Sequence, residues 1–127
     1  MQDFKQLRVW QHSHQLTLAV YEVIQGFPNS ELYGLTSQMR RASASISMNI
    51  AEGCGRGSDA EFARFLQIAM GSASELEYQL ILANDLKFLN QDTYEEINPE
   101  VIRVKKMLAT FIKKLKAGSR QPIADSR

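Results

Sequence analysis

The chain has 127 residues, of which 44% are hydrophobic and 23% charged, with a formal net charge of +1. That length suits one domain able to bury its own core without disulfides or metals. The near-neutral balance excludes a global attraction to polyanions, and a single cysteine, Cys54, excludes an intramolecular disulfide.

The amino-terminal Met1-Gln2-Asp3-Phe4-Lys5 has no apolar signal core, and no apolar run approaches the ~20 residues of a membrane span. With one unpaired cysteine, the expectation is a cytoplasmic protein without a membrane partner.

Four segments carry helical periodicity, and none alternates like a strand. The first helix is predicted over 7–26, with Val9, Ser13, Leu16, Val20, Val23 and Phe27 at three-four spacing and Trp10 and Ile24 widening the stripe. Phe27-Pro28 stops it, because a residue before proline avoids helical geometry. The second is predicted over 31–53, with Ser30 as N-cap and Leu32, Leu35, Met39, Ala42, Ile46 and Ile50 as its stripe. Gly53 is expected as a left-handed C-terminal cap. The third covers 59–89, opened by a capping box of Ser58 and Glu61 and running through Phe62, Phe65, Ala69, Leu76, Leu80, Ala83 and Leu86. The fourth covers 93–117, with Thr93 and Glu96 as its capping box, or with Asn98 restarting the helix at Pro99. Its stripe is Tyr94, Ile97, Val101, Val104, Leu108, Phe111 and Leu115.

Four helices with short connections predict an all-α fold, an antiparallel up-down-up-down left-handed four-helix bundle over 1–117, with a flexible tail over 118–127. A rod of this kind has much surface for its volume, so Ile81, Leu82, Met107 and Ile112 are expected toward a partner subunit.

Small residues crowd helices two and three. Ala42-Ser43-Ala44-Ser45 and Ser47 on one, and Gly71-Ser72-Ala73-Ser74 on the other, allow a close axial approach, with Ser43–Ser47 expected against the Ala63–Ala73 region. The residues of this helix-packing and oligomer motif are Arg40, Arg41, Ser45, Asn49, Glu52, Arg56, Gly71, Ser72 and Glu75. Glu52 and Glu75 are expected to pair with arginines, within or between subunits, because an unpaired buried charge costs several kcal/mol.

No constellation for catalysis emerges. Glu-x-x-His pairs are absent, and His12 and His14 point to different sides of a helix. Cys54 has no base at helical spacing. The run Gly53-Cys54-Gly55-Arg56-Gly57-Ser58 has the composition of a phosphate loop but lacks its Gly-Lys-Ser/Thr ending. No cofactor, metal or small-molecule substrate is expected.

Charge is segregated along the chain. Residues 85–100 hold Asp85, Asp92, Glu95, Glu96 and Glu100 against Lys87. Residues 101–120 hold Arg103, Lys105, Lys106, Lys113, Lys114, Lys116 and Arg120 without an acid. Such a run is either the solvated face of an amphipathic helix or a phosphate-contacting stripe. Arg103, Lys106, Lys113, Lys114 and Lys116 are the candidate nucleic-acid contacts.

The chain resembles the four-helix-bundle proteins encoded in intervening sequences of bacterial 23S ribosomal RNA genes. The resemblance runs over about 3–116. It is carried by Leu7-Arg8-Val9-Trp10-Gln11, Tyr33-Gly34-Leu35-Thr36-Ser37-Gln38-Met39-Arg40-Arg41 and Ser45-Ile46-Ser47-Met48-Asn49-Ile50-Ala51-Glu52-Gly53. Gly55-Arg56, Phe62, Phe65-Leu66, Ile68-Ala69 and Gly71-Ser72-Ala73-Ser74-Glu75-Leu76-Glu77 extend it. The resemblance implies a cytosolic bundle that assembles as a ring-like homopentamer and is not an enzyme. A related branch serves diversity-generating retroelements as an accessory protein that binds nucleic acid and a reverse transcriptase. The leading expectation is therefore a non-enzymatic homo-oligomer that binds RNA or a ribonucleoprotein. The alternatives are a purely structural protein–protein scaffold, such as a reverse-transcriptase accessory-like subunit, and an enzyme using Cys54 or the histidines.

Overall fold

Apolar residues at three-four spacing form a stripe on a helix, and the stripe must be buried against other helices. A computed structural model describes residues 2–120. Among them are four α-helices and no strand: α1 Arg8–Ile24, α2 Leu35–Cys54, α3 Asp59–Asp85 and α4 Gln91–Arg120. Short 3-10 turns at Phe4–Gln6 and Asn29–Glu31 precede α1 and α2. The all-α expectation holds. α4 runs to Arg120, beyond the expected end at 117, and the rest of the predicted tail lies outside the described residues.

The predicted stripes supply most of the core. Val9, Leu16, Val20 and Ile24 of α1 meet Leu35, Met39, Ala42, Ile46 and Ile50 of α2. Leu66, Ala69, Ala73, Leu76, Leu80 and Ala83 of α3 and Ile97, Val101, Val104, Leu108 and Ile112 of α4 complete it. Each fully buried leucine, isoleucine or valine contributes about 1.5–3 kcal/mol. Ile112, expected toward a partner, is in this core, whereas Ile81 stays exposed and Leu82 and Met107 are half-buried.

Cross-helix contacts set the register. Ser13 meets Ser47, Thr17 meets the Ser43 carbonyl, and Arg40 lies over the Tyr21 ring. Ser45 meets Ser72. Lys105 meets Glu77, and Asn84 meets Gln91. Along α1–α2 and α3–α4, later residues on one helix meet earlier residues on the other.

The helix ends correct several expectations. Ser30 is not the cap of α2. Glu31 closes a turn onto the Pro28 carbonyl, and its carboxylate accepts from the Leu35 N–H at 3.1 Å, so the helix starts at Leu35 with Gly34 before it. Leu32 consequently leaves the stripe and is exposed. Gly53 is not a left-handed cap either, since it has no positive φ and lies within the last turn of α2. Its role is closeness: an added Cβ would sit 2.7 Å from Phe65 Cβ and 2.9 Å from Phe62 Cδ1. Among the described residues the left-handed position is Lys87, φ 67°. There the Phe88 N–H bonds the Ala83 carbonyl at 2.9 Å and the Lys87 N–H bonds that of Asn84 at 3.0 Å, a Schellman ending that stops α3 at Asp85 instead of 89. Asn90, and not Thr93, caps α4, its Oδ1 accepting from the Thr93 N–H at 2.8 Å. Pro99 lies inside the continuous α4. The Ser58 cap is as expected, with Oγ accepting from the Glu61 N–H at 3.2 Å.

Two substitutions should move stability in opposite directions. Gly53→Ala should destabilise by about 1–3 kcal/mol through overpacking against Phe62 and Phe65. Lys87→Gly should stabilise by about 0.5–1 kcal/mol by removing the left-handed strain of a residue with a Cβ. Chemical denaturation followed by circular dichroism measures both.

Candidate nucleic-acid and partner surfaces

A lysine attracts a phosphate only when no carboxylate already neutralises it. On α4 the candidate cations divide on this point. Arg103 pairs with Glu100 at 3.7 Å, and Lys105 with Glu77 at 2.7 Å. Lys106, Lys113, Lys114 and Lys116 are exposed and join no ion pair among the described residues. Lys106 and Lys113 are seven residues apart, so they share one face. Lys114 lines a shallow groove with Arg8 of α1, which sequence reading missed because it needs the pairing of α1 with α4. One acid stands close by: the Asp59 carboxylate would lie 3.6 Å from a Cβ on Gly118.

A second surface lies over α2 and α3. The small polar residues of α2 divide between two neighbours. Ser43 and Ser47 face α1, not the Ala63–Ala73 region, because α2 turns about 100° per residue and only every second serine can face α3. The Thr17 hydroxyl lies 2.9 Å from the Ser13 carbonyl, 3.0 Å from the Ser43 carbonyl and 3.3 Å from Ser47 Oγ. Ser13 Oγ lies 3.1 Å from Ser47 Oγ. Ser45 faces α3, 2.8 Å from Ser72 Oγ, and Asn49 Nδ2 donates to the Ser45 carbonyl at 2.8 Å and to its Oγ at 3.0 Å. Thr17 was missed as part of this set. Its signal was a hydroxyl four residues after Ser13.

Outside this seam a groove of about 520 Å³ is lined by Tyr21, Arg40, Arg41, Met48, Asn49 and Glu75, among others. Glu75 forms no ion pair among the described residues, although Arg40 and Arg41 line the same groove. Glu52 and Arg56 pair at 3.0 Å, both well exposed, a contact worth at most about 1 kcal/mol. Arg56 also lies over the Phe65 ring. Gly71 is exposed, and a Cβ there would meet nothing within 4 Å. Met48, Tyr78 and Ile68 are exposed at 67%, 60% and 42%.

The groups considered for chemistry do not converge. His14 stacks on Trp10 with ring centroids 5.0 Å apart, while His12 lines a groove toward α4. Among the described residues no cluster of three or more His, Cys, Asp or Glu side chains could hold a metal. Cys54 is buried, its Sγ donating to the Gln2 carbonyl at 3.4 Å. Burial, and then the negative charge of Asp3, push its thiol above the ordinary value. The folded state therefore keeps the proton to higher pH than the unfolded chain, and stability falls as pH rises through the ordinary thiol range. At pH 8 a thiol reagent such as dithionitrobenzoate should label native Cys54 at least ~10-fold more slowly than the denatured chain, followed by absorbance.

No curated protein matches this chain. Among solved structures it is similar to a protein of unknown function from the S23 ribosomal protein family of Bacteroides thetaiotaomicron, with a TM-score of 0.77 and 28% identity over 83% of this chain and 98% of that one. No helix among the described residues is long and apolar enough to cross a membrane. The family model of the 23S rRNA-intervening sequence proteins matches residues 5–110, the stretch that holds α1, α2, α3, the first part of α4 and both serine seams, and the chain belongs to that family.

Proposed function

We propose that this protein is a non-enzymatic, cytoplasmic homo-oligomer that binds RNA or a ribonucleoprotein through the carboxyl-terminal half of α4. The observation that carries this reading is the set of four exposed lysines, Lys106, Lys113, Lys114 and Lys116, without an ion pair among the described residues, with Arg8 beside Lys114. Solvated lysines that neutralise phosphates release counterions, so the contact gains strength as salt falls. The family's description and the ribosomal label of the Bacteroides protein support an RNA or ribonucleoprotein partner. The protomer is read as a left-handed up-down-up-down bundle, and copies are read as a ring, a pentamer by resemblance. In a ring each lysine stripe repeats, which multiplies a weak protomer field.

The second reading is a scaffold that only self-associates. Exposed Met48 beside Arg40, Arg41 and Glu75, with Ile68 and Tyr78 exposed on α3, favours it as the face between copies. Both readings use the same oligomer, and RNA binding separates them.

Labelled single-stranded RNA should bind at low salt and dissociate as salt rises, read by fluorescence anisotropy. The triple variant Lys106→Gln, Lys113→Gln, Lys114→Gln should lower the slope of log affinity against log salt by about 2 and keep its assembly. A flat anisotropy trace for the parent at low salt defeats the RNA reading and leaves the scaffold. Sedimentation velocity should show an oligomer that Met48→Glu with Tyr78→Glu reduces to protomers. A parent sedimenting as a single copy overturns both.

A further inference from the structure

α1 and α4 meet differently from the other helices in contact. The α1–α2, α2–α3 and α3–α4 seams are each crossed by a side-chain hydrogen bond or ion pair, at Ser13–Ser47, Ser45–Ser72 and Glu77–Lys105. No such bond crosses α1–α4 among the described residues. A groove of about 490 Å³ opens along that seam. Its floor is Leu16, Ala19 and Val23 of α1 with Ile97 of α4. Its rim carries Glu22 on one side and Glu96 and Glu100 on the other, and the lining contains no lysine or arginine. Glu100 is engaged by Arg103, whereas Glu22 and Glu96 join no ion pair among the described residues.

We infer that this groove is a docking site for a cationic amphipathic helix of a partner protein. From His12 to Val23, α1 advances about 16 Å, the length of three turns of a guest helix. Apolar residues of the guest at three-four spacing enter the floor, and lysines or arginines flanking that stripe reach Glu22 and Glu96. RNA and anionic lipid are disfavoured by the same carboxylates. A second copy's basic α4 does not fit either, since its apolar positions Val104, Leu108 and Ile112 are buried in its own core. The site lies on the acidic half of α4, and it does not rest on the RNA reading.

The test uses the full-length protein and a fluorescein-labelled 14-residue peptide of leucines at helical spacing with lysines between them. The control peptide has glutamates in place of the lysines. The lysine peptide should bind saturably at one site per protomer in physiological salt, and the glutamate peptide at least ~10-fold more weakly. In the parent protein, methyl resonances of Leu16, Val23 and Ile97 should shift on titration, a readout that needs no variant. Glu22→Lys with Glu96→Lys should weaken the lysine peptide at least ~10-fold while leaving helical circular dichroism and RNA anisotropy unchanged. Equal binding of both peptides, methyl shifts confined to another face, or no binding by the lysine peptide overturns the inference. So does a charge-reversed variant that sediments as protomers where the parent is oligomeric, because a second copy would then occupy the groove. Binding of phosphatidylglycerol vesicles that is lost in the same variant overturns it as well, in favour of a lipid surface.

Discussion

The close approach of α2 to two neighbours at once is the constraint on which the rest of the structure depends. Toward α1 it presents Ser43 and Ser47, toward α3 Ser45 and Gly53. A buried hydroxyl without a partner costs about 1–3 kcal/mol, so each of these small polar groups tolerates only a register in which it is satisfied. Ser13 and Ser43 are fully buried, and each also donates back to a carbonyl of its own helix, Trp10 and Arg40. Thr17 then bridges the two helices. Sliding α1 against α2 by one turn would take Ser47 Oγ from Ser13 and Thr17, whereas Ser13, Ser43 and Thr17 keep the carbonyls of their own helices. At the far end of α2, Gly53 fixes depth instead of register, because the Phe62 and Phe65 side chains occupy the space of a Cβ.

That inward economy decides what faces outward. Once Ser43, Ser47 and the Ile46–Ile50 stripe are turned in, the remaining side of α2 is Arg41, Met48 and Glu52, all exposed. Asn49 closes the Ser45–Ser72 contact from the edge, so its amide donors serve the seam and not a ligand. Exposed Arg41 and Met48 are thus what the packing leaves over, a mixed polar and apolar patch.

Much of this was legible in the sequence, and the misses share one cause. The apolar period of 3.6 located Met39, Ile46, Ile50, Leu76, Leu80, Val101 and Leu108 in the core, because a stripe seven or more residues long has one buried solution. Caps are different. Ser30 and Glu31, or Asn90 and Thr93, are all able to accept from an amide, and alternatives within about 1 kcal/mol are separated by how the chain must travel between helices. Gly53 shows the same limit, since a glycine at a helix end reads as a turn residue until the phenylalanines opposite it are placed. The serines were recognised as packing residues, but a helical repeat does not say which neighbour each one meets. The α1–α4 groove was invisible for a stronger reason: it consists of residues some eighty positions apart and of a bond that is missing.

The charge pattern of α4 matches the helix dipole in sign, but magnitude argues against the dipole as its cause. The dipole acts within the first and last turns and is worth about 0.3–1 kcal/mol per charge at an exposed site. Asp92 qualifies. Glu96 is more than one turn inside the helix, Glu100 more than two, and Lys106 lies well over two turns before Arg120. Their placement therefore needs a cause other than the helix itself. Among the described residues, intrahelical ion pairing supplies Glu100–Arg103, and packing supplies Lys105 with Glu77. Among the described residues, Glu96 in one half and Lys106, Lys113, Lys114 and Lys116 in the other join no ion pair. Had solubility alone selected them, the two signs would be interspersed, which lowers self-repulsion at no cost to hydration. Segregation along one helix instead leaves an apolar groove beside Glu96 and Glu100 and sets Lys114 beside Arg8.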